Sequence, residues 1–188
     1  MKTIKTLLIL FLFYSFIFAG EYQVDKSKEN IVKFISDAPI EEFSGITNSI
    51  DGYINLISFQ DLSNNKIYFE VDLNTLDTGI GLRNRHMRDN YLETDKYQYT
   101  YFDGHFDSIS KISQTEFSVA ISGDISIHGV TKNITVLGTI FSNEDGLRIV
   151  SYFDVKLTDF KIDVPEMMFM KIDETMNLVL DFNIQLME

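Results

Sequence analysis

The segment MNLVLDFNIQLM, Met176–Met187, decides how the rest of the chain is read. In an extended backbone Met176, Leu178, Leu180, Phe182, Ile184 and Leu186 all face one way, and the period of two marks a strand with one buried face. The same alternation recurs in KIYFEVDLNTL, where Ile67, Phe69, Val71 and Leu73 oppose Tyr68, Glu70, Asp72 and Asn74. EFSVAISGDISIHG supplies Phe117, Val119, Ile121, Ile125 and Ile127, and LRIVSYFDVKL supplies Ile149, Phe153, Val155 and Leu157.

Weaker strand signals cover Tyr22–Ser27, Ile31–Ile35, Ile46–Phe59, Tyr97–Phe106 and Thr131–Phe141. Turn chemistry separates them at DLSNNK (Asp61–Lys66), HGVTKN (His128–Asn133) and SNEDG (Ser142–Gly146). The result is all-β, with about eight strands joined by short connections and one short helical insertion. A sheet of that size with one wet and one dry face is best closed into an antiparallel barrel. Two segments break the alternation. Over Gly79–Leu92 a helix is expected, with Ile80, Asn84, Met87 and Tyr91 on one side and Arg85, Arg88 and Leu92 on another. VPEMMFMKID, Val164–Asp173, is an apolar, Met-rich loop that either tucks into the core or serves as an adaptable lid over a barrel mouth.

The first twenty residues differ from all that follow. Lys2 and Lys5 precede an apolar run from Leu7 to Ala19, too short to span a bilayer comfortably, which predicts a secretory signal peptide over 1–20 and a single domain over 21–188. The expected location is the periplasm or the exterior, with no transmembrane helix in the mature chain. The formal charge of −12 becomes −14 once the two lysines leave, so repulsion from nucleic acid phosphates and from anionic membrane surfaces is expected. There is no cysteine, which excludes a thiol nucleophile, thiolate metal ligands and a lipid-modified cysteine anchor.

Catalytic patterns are poor. HExxH, GxSxG, P-loop and Rossmann glycine signatures are all missing, and the three histidines, His86, His105 and His128, stand far apart in sequence. No enzyme, metal or cofactor is called for. His105 is the one candidate for a lipid-directed enzyme, because its strand is aromatic on both faces and its orientation is open. A barrel of eight strands either fills with side chains or holds one small ligand, and strand alternation alone looks the same in both cases.

Three segments together carry a family resemblance. GDISIHGVTKNITVLGTI (Gly123–Ile140) resembles the paired strands of the YceI-like family, LDTGIGLRNRHMRDNYLETDKYQYTYF (Leu76–Phe102) resembles its helix and following aromatic strand, and LTDFKIDVP (Leu157–Pro165) resembles its late element. Their order and spacing agree and span nearly all of the mature chain. Gln98 departs from a usual Pro, and Asn84 from a frequent Asp, removing a possible partner for the arginines. The resemblance implies a lipocalin-like barrel, exported from bacteria, holding a polyisoprenoid or a related amphiphilic acyl-chain lipid. The ligand contacts expected are Met87, Tyr91, Leu92, Phe102, Phe153 and Phe160, with Met168 and Phe169 from the loop. Arg83, Arg85 and Arg88 either form structural ion pairs, with Arg85 and Arg88 clamping one carboxylate, or meet an anionic head group. The rival reading is a stable barrel with no ligand inside, whose acidic surface or loops bind another envelope protein. Sequence leaves the cargo and the oligomeric state open.

Overall fold

Strands that follow one another in sequence pair with one another in space over most of this chain. The structure, a computed structural model, describes residues 20–36, 42–57, 59, 61–167 and 170–187. The strands are β1 (Gly20–Val24), β2 (Ile31–Ser36), β3 (Phe43–Thr47), β4 (Ile50–Leu56) and β5 (Lys66–Asp72), then β6 (Tyr99–Lys111), β7 (Glu116–Ile127), β8 (Val130–Asn143), β9 (Gly146–Lys156) and β12 (Thr175–Leu186). A two-stranded hairpin, β10 (Glu166–Met167) with β11 (Met170–Lys171), stands apart. The sheet runs β1-β4-β5-β6-β7-β8-β9-β12, and β12 pairs back onto β1, so eight antiparallel strands close a barrel.

The remaining two strands extend existing ones. β12 pairs with β1 through Ile184 and Leu186 and with β2 through Met176 to Asp181, so β1 and β2 lie end to end along it. β3 and β4 do the same along β2 and β1, which divides the strand expected over Ile46–Phe59. Buried Asn30 explains how the first break is tolerated. Its amide donates to the Asp25 carbonyl (3.0 Å) and its Oδ1 accepts from the Asn183 N–H (2.9 Å), replacing ladder bonds the chain loses between β1 and β2. β6 runs five residues beyond its expected end at Phe106, past a bulge between Phe106 and Ser108. Beside that bulge the Asn65 side chain stands in for a strand residue: its Oδ1 accepts from Phe106 N–H (2.6 Å) and its amide donates to Phe106 O (3.2 Å).

The barrel is packed solid at one end and hollow at the other. Val24, Leu56, Ile67, Phe106, Phe117, Ile140, Leu147 and Ile184 all sit where their strands meet that solid end, each buried. Leu186 departs from the expected inward set: it lies at the tip of β12 and is 52% exposed, beyond the last interior layer. At the other end a smaller cluster, Ile125, Phe160 and Ile162, packs against Tyr91, Leu92, Phe102 and Phe153. Between them the register pairs Gly104 with Gly123, and the Phe102 ring lies across both. A Cβ on Gly123 would come within 2.5 Å of the Asp103 carbonyl, so glycine is what lets the ring lie flat against the inner wall. The residues expected to form a signal peptide lie outside the described part except Gly20, which pairs with Leu56 in β1.

Candidate ligand-binding cavity

The hollow end holds a cavity of about 620 Å³. Its floor is the top of the solid core, Ile67, Val71, Ile149 and Phe182, and its walls are the inward residues of β7, β9 and β12. Two hydroxyls in the wall are already satisfied: Thr100 Oγ1 donates to the Ser126 carbonyl (2.8 Å) and Ser151 Oγ to the Leu137 carbonyl (2.7 Å). Neither donor is left over for a polar guest. The interior favours something greasy.

The segment between β5 and β6 caps this end. It enters through a backbone bridge, Ile46 N–H to Asp77 O and Asp77 N–H to Ile46 O, both 2.9 Å, which occupies the edge of β3 where β5 has already ended. A short α-helix, α1 (Gly81–His86), follows, then a π-helical turn over Met87–Tyr91. Ideal α geometry places Leu92 away from Met87 and Tyr91. The π turn instead closes an i→i+5 bond from Leu92 N–H to Met87 O (2.8 Å), and all three residues line the cavity. Asn84, ahead of that turn, does not line the cavity: its side chain turns back to Thr78 and Asp77.

Asn84 is the hub of the helix start. Its Oδ1 accepts from the Thr78 N–H (2.8 Å) and hydroxyl (2.6 Å), and its amide donates to Asp77 Oδ1 (2.7 Å). Asp77 Oδ1 also accepts from Gly79 N–H (2.8 Å), and these two bonds, the Asn84 amide first, hold its carboxyl below the usual range. An aspartate at position 84 would set two carboxylates against each other, so the amide suits this site.

The arginines are arranged differently from the expected carboxylate clamp. Arg83 donates Nε to the Thr78 hydroxyl (2.9 Å) and Nη2 to the Thr78 carbonyl (2.7 Å), and its guanidinium lies 4.8 Å from the centre of the Phe43 ring. Arg88 donates to the Asn74 carbonyl (3.2 Å), and Arg85 is exposed. Among the described residues none of the three has a carboxylate within ion-pairing distance; Asp77, beside the helix start, is instead held by the Gly79 N–H and the Asn84 amide. Arg83 lines the cavity, with Lys33 and His86; Arg85 and Arg88 do not.

Of the expected ligand contacts, Met87, Tyr91, Leu92, Phe102, Phe153 and Phe160 are all brought together around this cavity, from four separate parts of the chain. Met168 and Phe169 lie outside the described residues. Sequence reasoning passed over Phe34, Phe43, Ile80, Leu82 and Lys33, which also line it. Phe34 had a signal in the pairing of an aromatic strand with a glycine: it faces Gly45 on β3, where a Cβ would fall 2.3 Å from its ring.

The other histidines take no part. His105 turns outward, 57% exposed, with Nε2 3.3 Å from Asp107, which answers the open question of its orientation. His128 is held under Tyr97, its Nδ1 3.2 Å from the Phe160 carbonyl and its Nε2 3.0 Å from Glu93, so it ties the capping segment to the β9–β10 connection. Among the described residues no three His, Asp or Glu side chains gather as a metal site requires, and no helix is long and apolar enough to cross a membrane.

An antiparallel barrel, solid below and hollow beneath a helical cap, with one apolar chamber, is the class of protein these features define. The chain belongs to the YceI-like family, whose domain pattern matches residues 22–184. A UPF0312 protein of Vibrio campbellii (strain ATCC BAA-1116) is 25% identical over 121 residues, 63% of this chain and 61% of that protein's length. Burkholderia cenocepacia BcnA has the same fold at a TM-score of 0.69 and 15% identity, covering 84% of this chain and 97% of BcnA. A polyisoprenoid binding domain from Saccharophagus degradans, implicated in plant cell wall breakdown, follows at 0.68 and 17% identity, covering 88% and 98%.

Proposed function

We propose that the chain is an exported carrier that holds one long apolar chain, a polyisoprenoid or a related amphiphilic lipid, inside its barrel. The observation that carries this reading is the chamber of about 620 Å³, whose wall hydroxyls are already bonded to backbone carbonyls. A volume of this order is typical of small-molecule sites, roughly 300–1,000 Å³. Burial of an extended hydrocarbon contributes roughly 0.8 kcal/mol per CH₂, so affinity grows with cargo length without polar contacts. The similarity to a polyisoprenoid binding domain supports the same class of cargo.

In this reading Phe102, Phe153 and Phe160 contact the chain along the wall, and Met87, Tyr91 and Leu92 contact it from the cap. Arg83 receives the head group. Its Nε and one Nη are fixed on Thr78, and the other Nη has no hydrogen-bond partner among the described residues, which makes it a preorganised donor for a phosphate or carboxylate. Export to the periplasm or beyond rests on the basic and apolar pattern of the first twenty residues.

Native mass spectrometry of the protein purified without detergent, followed by organic extraction, tests the proposal. A stoichiometric extra mass that passes into solvent and is identified as an isoprenoid or acyl lipid is the expected result. A bare polypeptide that stays bare after incubation with mixed lipids would overturn it and favour a protein that acts through its outer surface.

A further inference from the structure

The mouth of the cavity has a chemistry unlike the rest of the molecule. Ile80 and Leu82 line the chamber, yet they are 51% and 60% exposed, so the apolar interior continues onto the outer rim. Isolated exposed apolar side chains are ordinary; a pair at the opening of an apolar chamber is not.

The charges are sorted in the same way. Lys26, Lys28, Lys66, Lys96, Lys132, Arg148 and Lys156 each lie within 4.0 Å of a carboxylate. Six described cations have no such partner, and four of them, Lys33, Arg83, Arg85 and Arg88, belong to the rim and its capping segment; the other two are Lys111 and Lys161. The described acids in that region are Asp77, whose Oδ1 is held by Gly79 and Asn84, and exposed Glu42 and Asp89. Among the described residues four cations therefore stand against three acids, in a chain of net charge −12. At physiological salt the Debye length is about 8 Å, so a surface touching the rim meets these local charges, while the acidic remainder is screened.

We infer that this rim docks on a phospholipid bilayer. Ile80 and Leu82 enter the acyl boundary, Arg85 and Lys33 bond lipid phosphates, and the chamber opens onto hydrocarbon. Amphipathic interfacial helices combine an apolar face with Arg and Lys in this manner. Docking itself does not depend on the carrier reading; the passage of cargo through the docked mouth rests on it.

Co-sedimentation of the full chain with vesicles of phosphatidylethanolamine and phosphatidylglycerol tests this, with bound lipid extracted in parallel. Residues 1–20 are common to every variant, so their contribution cancels in the comparison. The wild type is expected to pellet, and Ile80→Asp with Leu82→Asp to lower the partition coefficient at least about tenfold. Arg85→Glu, which lies outside the chamber, should lower it about tenfold at low salt, with the difference shrinking as salt is added and the extracted cargo unchanged. Thermal melting of each variant confirms folding. Equal binding by all three proteins would overturn the inference. So would a wild type that ignores vesicles but joins an envelope protein through these same residues. Docking that fails in the variants, with no lipid in any extract, would sustain this surface while removing the carrier function.

Discussion

Leu92 donates its backbone N–H to the carbonyl of Met87, five residues back, at 2.8 Å. That single π turn is equivalent to one residue inserted into an α-helix, and it rotates everything after it by about a quarter turn or more. Its effect is to set Leu92 on the cavity side with Tyr91.

Removing the two apolar side chains that this turn presents therefore tests the cap directly. Tyr91→Ser with Leu92→Ser should leave the backbone of the cap in place and take two apolar contacts out of the wall. The barrel strands are untouched, so the melting temperature should change little. Affinity for a fluorescent acyl or prenyl probe should fall at least about tenfold, the effect of losing two apolar contacts at roughly 1.5 kcal/mol or more each. Unchanged affinity in the folded variant would mean that the cap does not touch the cargo.

Asn84→Asp gives a second, sharper test of the helix start. The substitution replaces an amide donor at 2.7 Å from Asp77 Oδ1 by a second carboxylate. The repulsion should destabilise the capping segment at neutral pH and raise the Asp77 carboxyl from its present lowered position. The loss should shrink as the pH falls into the carboxylate range and one of the pair takes up a proton. Hydrogen exchange over residues 77–91, measured at neutral and acid pH, reads the difference. A variant as protected as the wild type at neutral pH would show that this network is dispensable.

Acid should loosen the hollow end of the wild type. Glu93 is held below its ordinary 4.5 by its bond to Lys96 first and to His128 second, and Glu174 by Lys156 and Thr158. A depressed carboxyl contributes stability that is fully present above about pH 4.5 and is lost as the pH falls through the folded value. Both groups tie separate elements together at the cavity end, whereas the lowered carboxyls at the solid end, Asp25 on Ser27 and Asp61 on Ser63, close only local turns beside the apolar packing. Probe release below about pH 4.5 should therefore precede loss of β-sheet circular dichroism. In Glu93→Gln part of that acid dependence should vanish. Release that coincides with global unfolding in both proteins would contradict this order.

The barrel was legible from period-two alternation because its solid end is built from strands with one wet and one dry face, as in β5, β7, β9 and β12. Phe153 on the chamber wall was legible for the same reason, while Phe34 and Phe43, on the short strands β2 and β3, were not. What escaped was whatever depends on backbone bonds that side-chain patterns do not encode. Asn30 bridging Asp25 and Asn183 lets one stave be made of β1 and β2, and nothing in their hydrophobicity announces it. The π turn set Leu92 on a face that the 100° rule assigns wrongly, and Asn84, ahead of that turn, is drawn back to Thr78 and Asp77 by its own hydrogen bonds. The arginines looked like ion-pair partners because acids crowd their sequence neighbourhood; in space Asp77 is occupied by Gly79 and Asn84, and Arg83 turns to Thr78 and Phe43.

Phe153→Asp bears on the chamber itself. Phe153 pairs with Leu178 of β12, lines the cavity and is only half-buried, so the solid core does not rely on it. A carboxylate there would face an apolar wall whose nearby hydroxyl, Ser151, already donates to the Leu137 carbonyl. Bringing a hydrocarbon chain over it would strip its water without replacing the bonds, a cost of several kcal/mol. Lipid recovered by extraction should fall to background while circular dichroism and the melting temperature remain near wild type. The conservative Phe153→Leu should retain cargo, which separates lost apolar surface from introduced charge. A folded Phe153→Asp protein that still carries lipid would move the cargo out of the barrel, and the same preparation would then show whether the rim around Ile80 and Leu82 holds it instead.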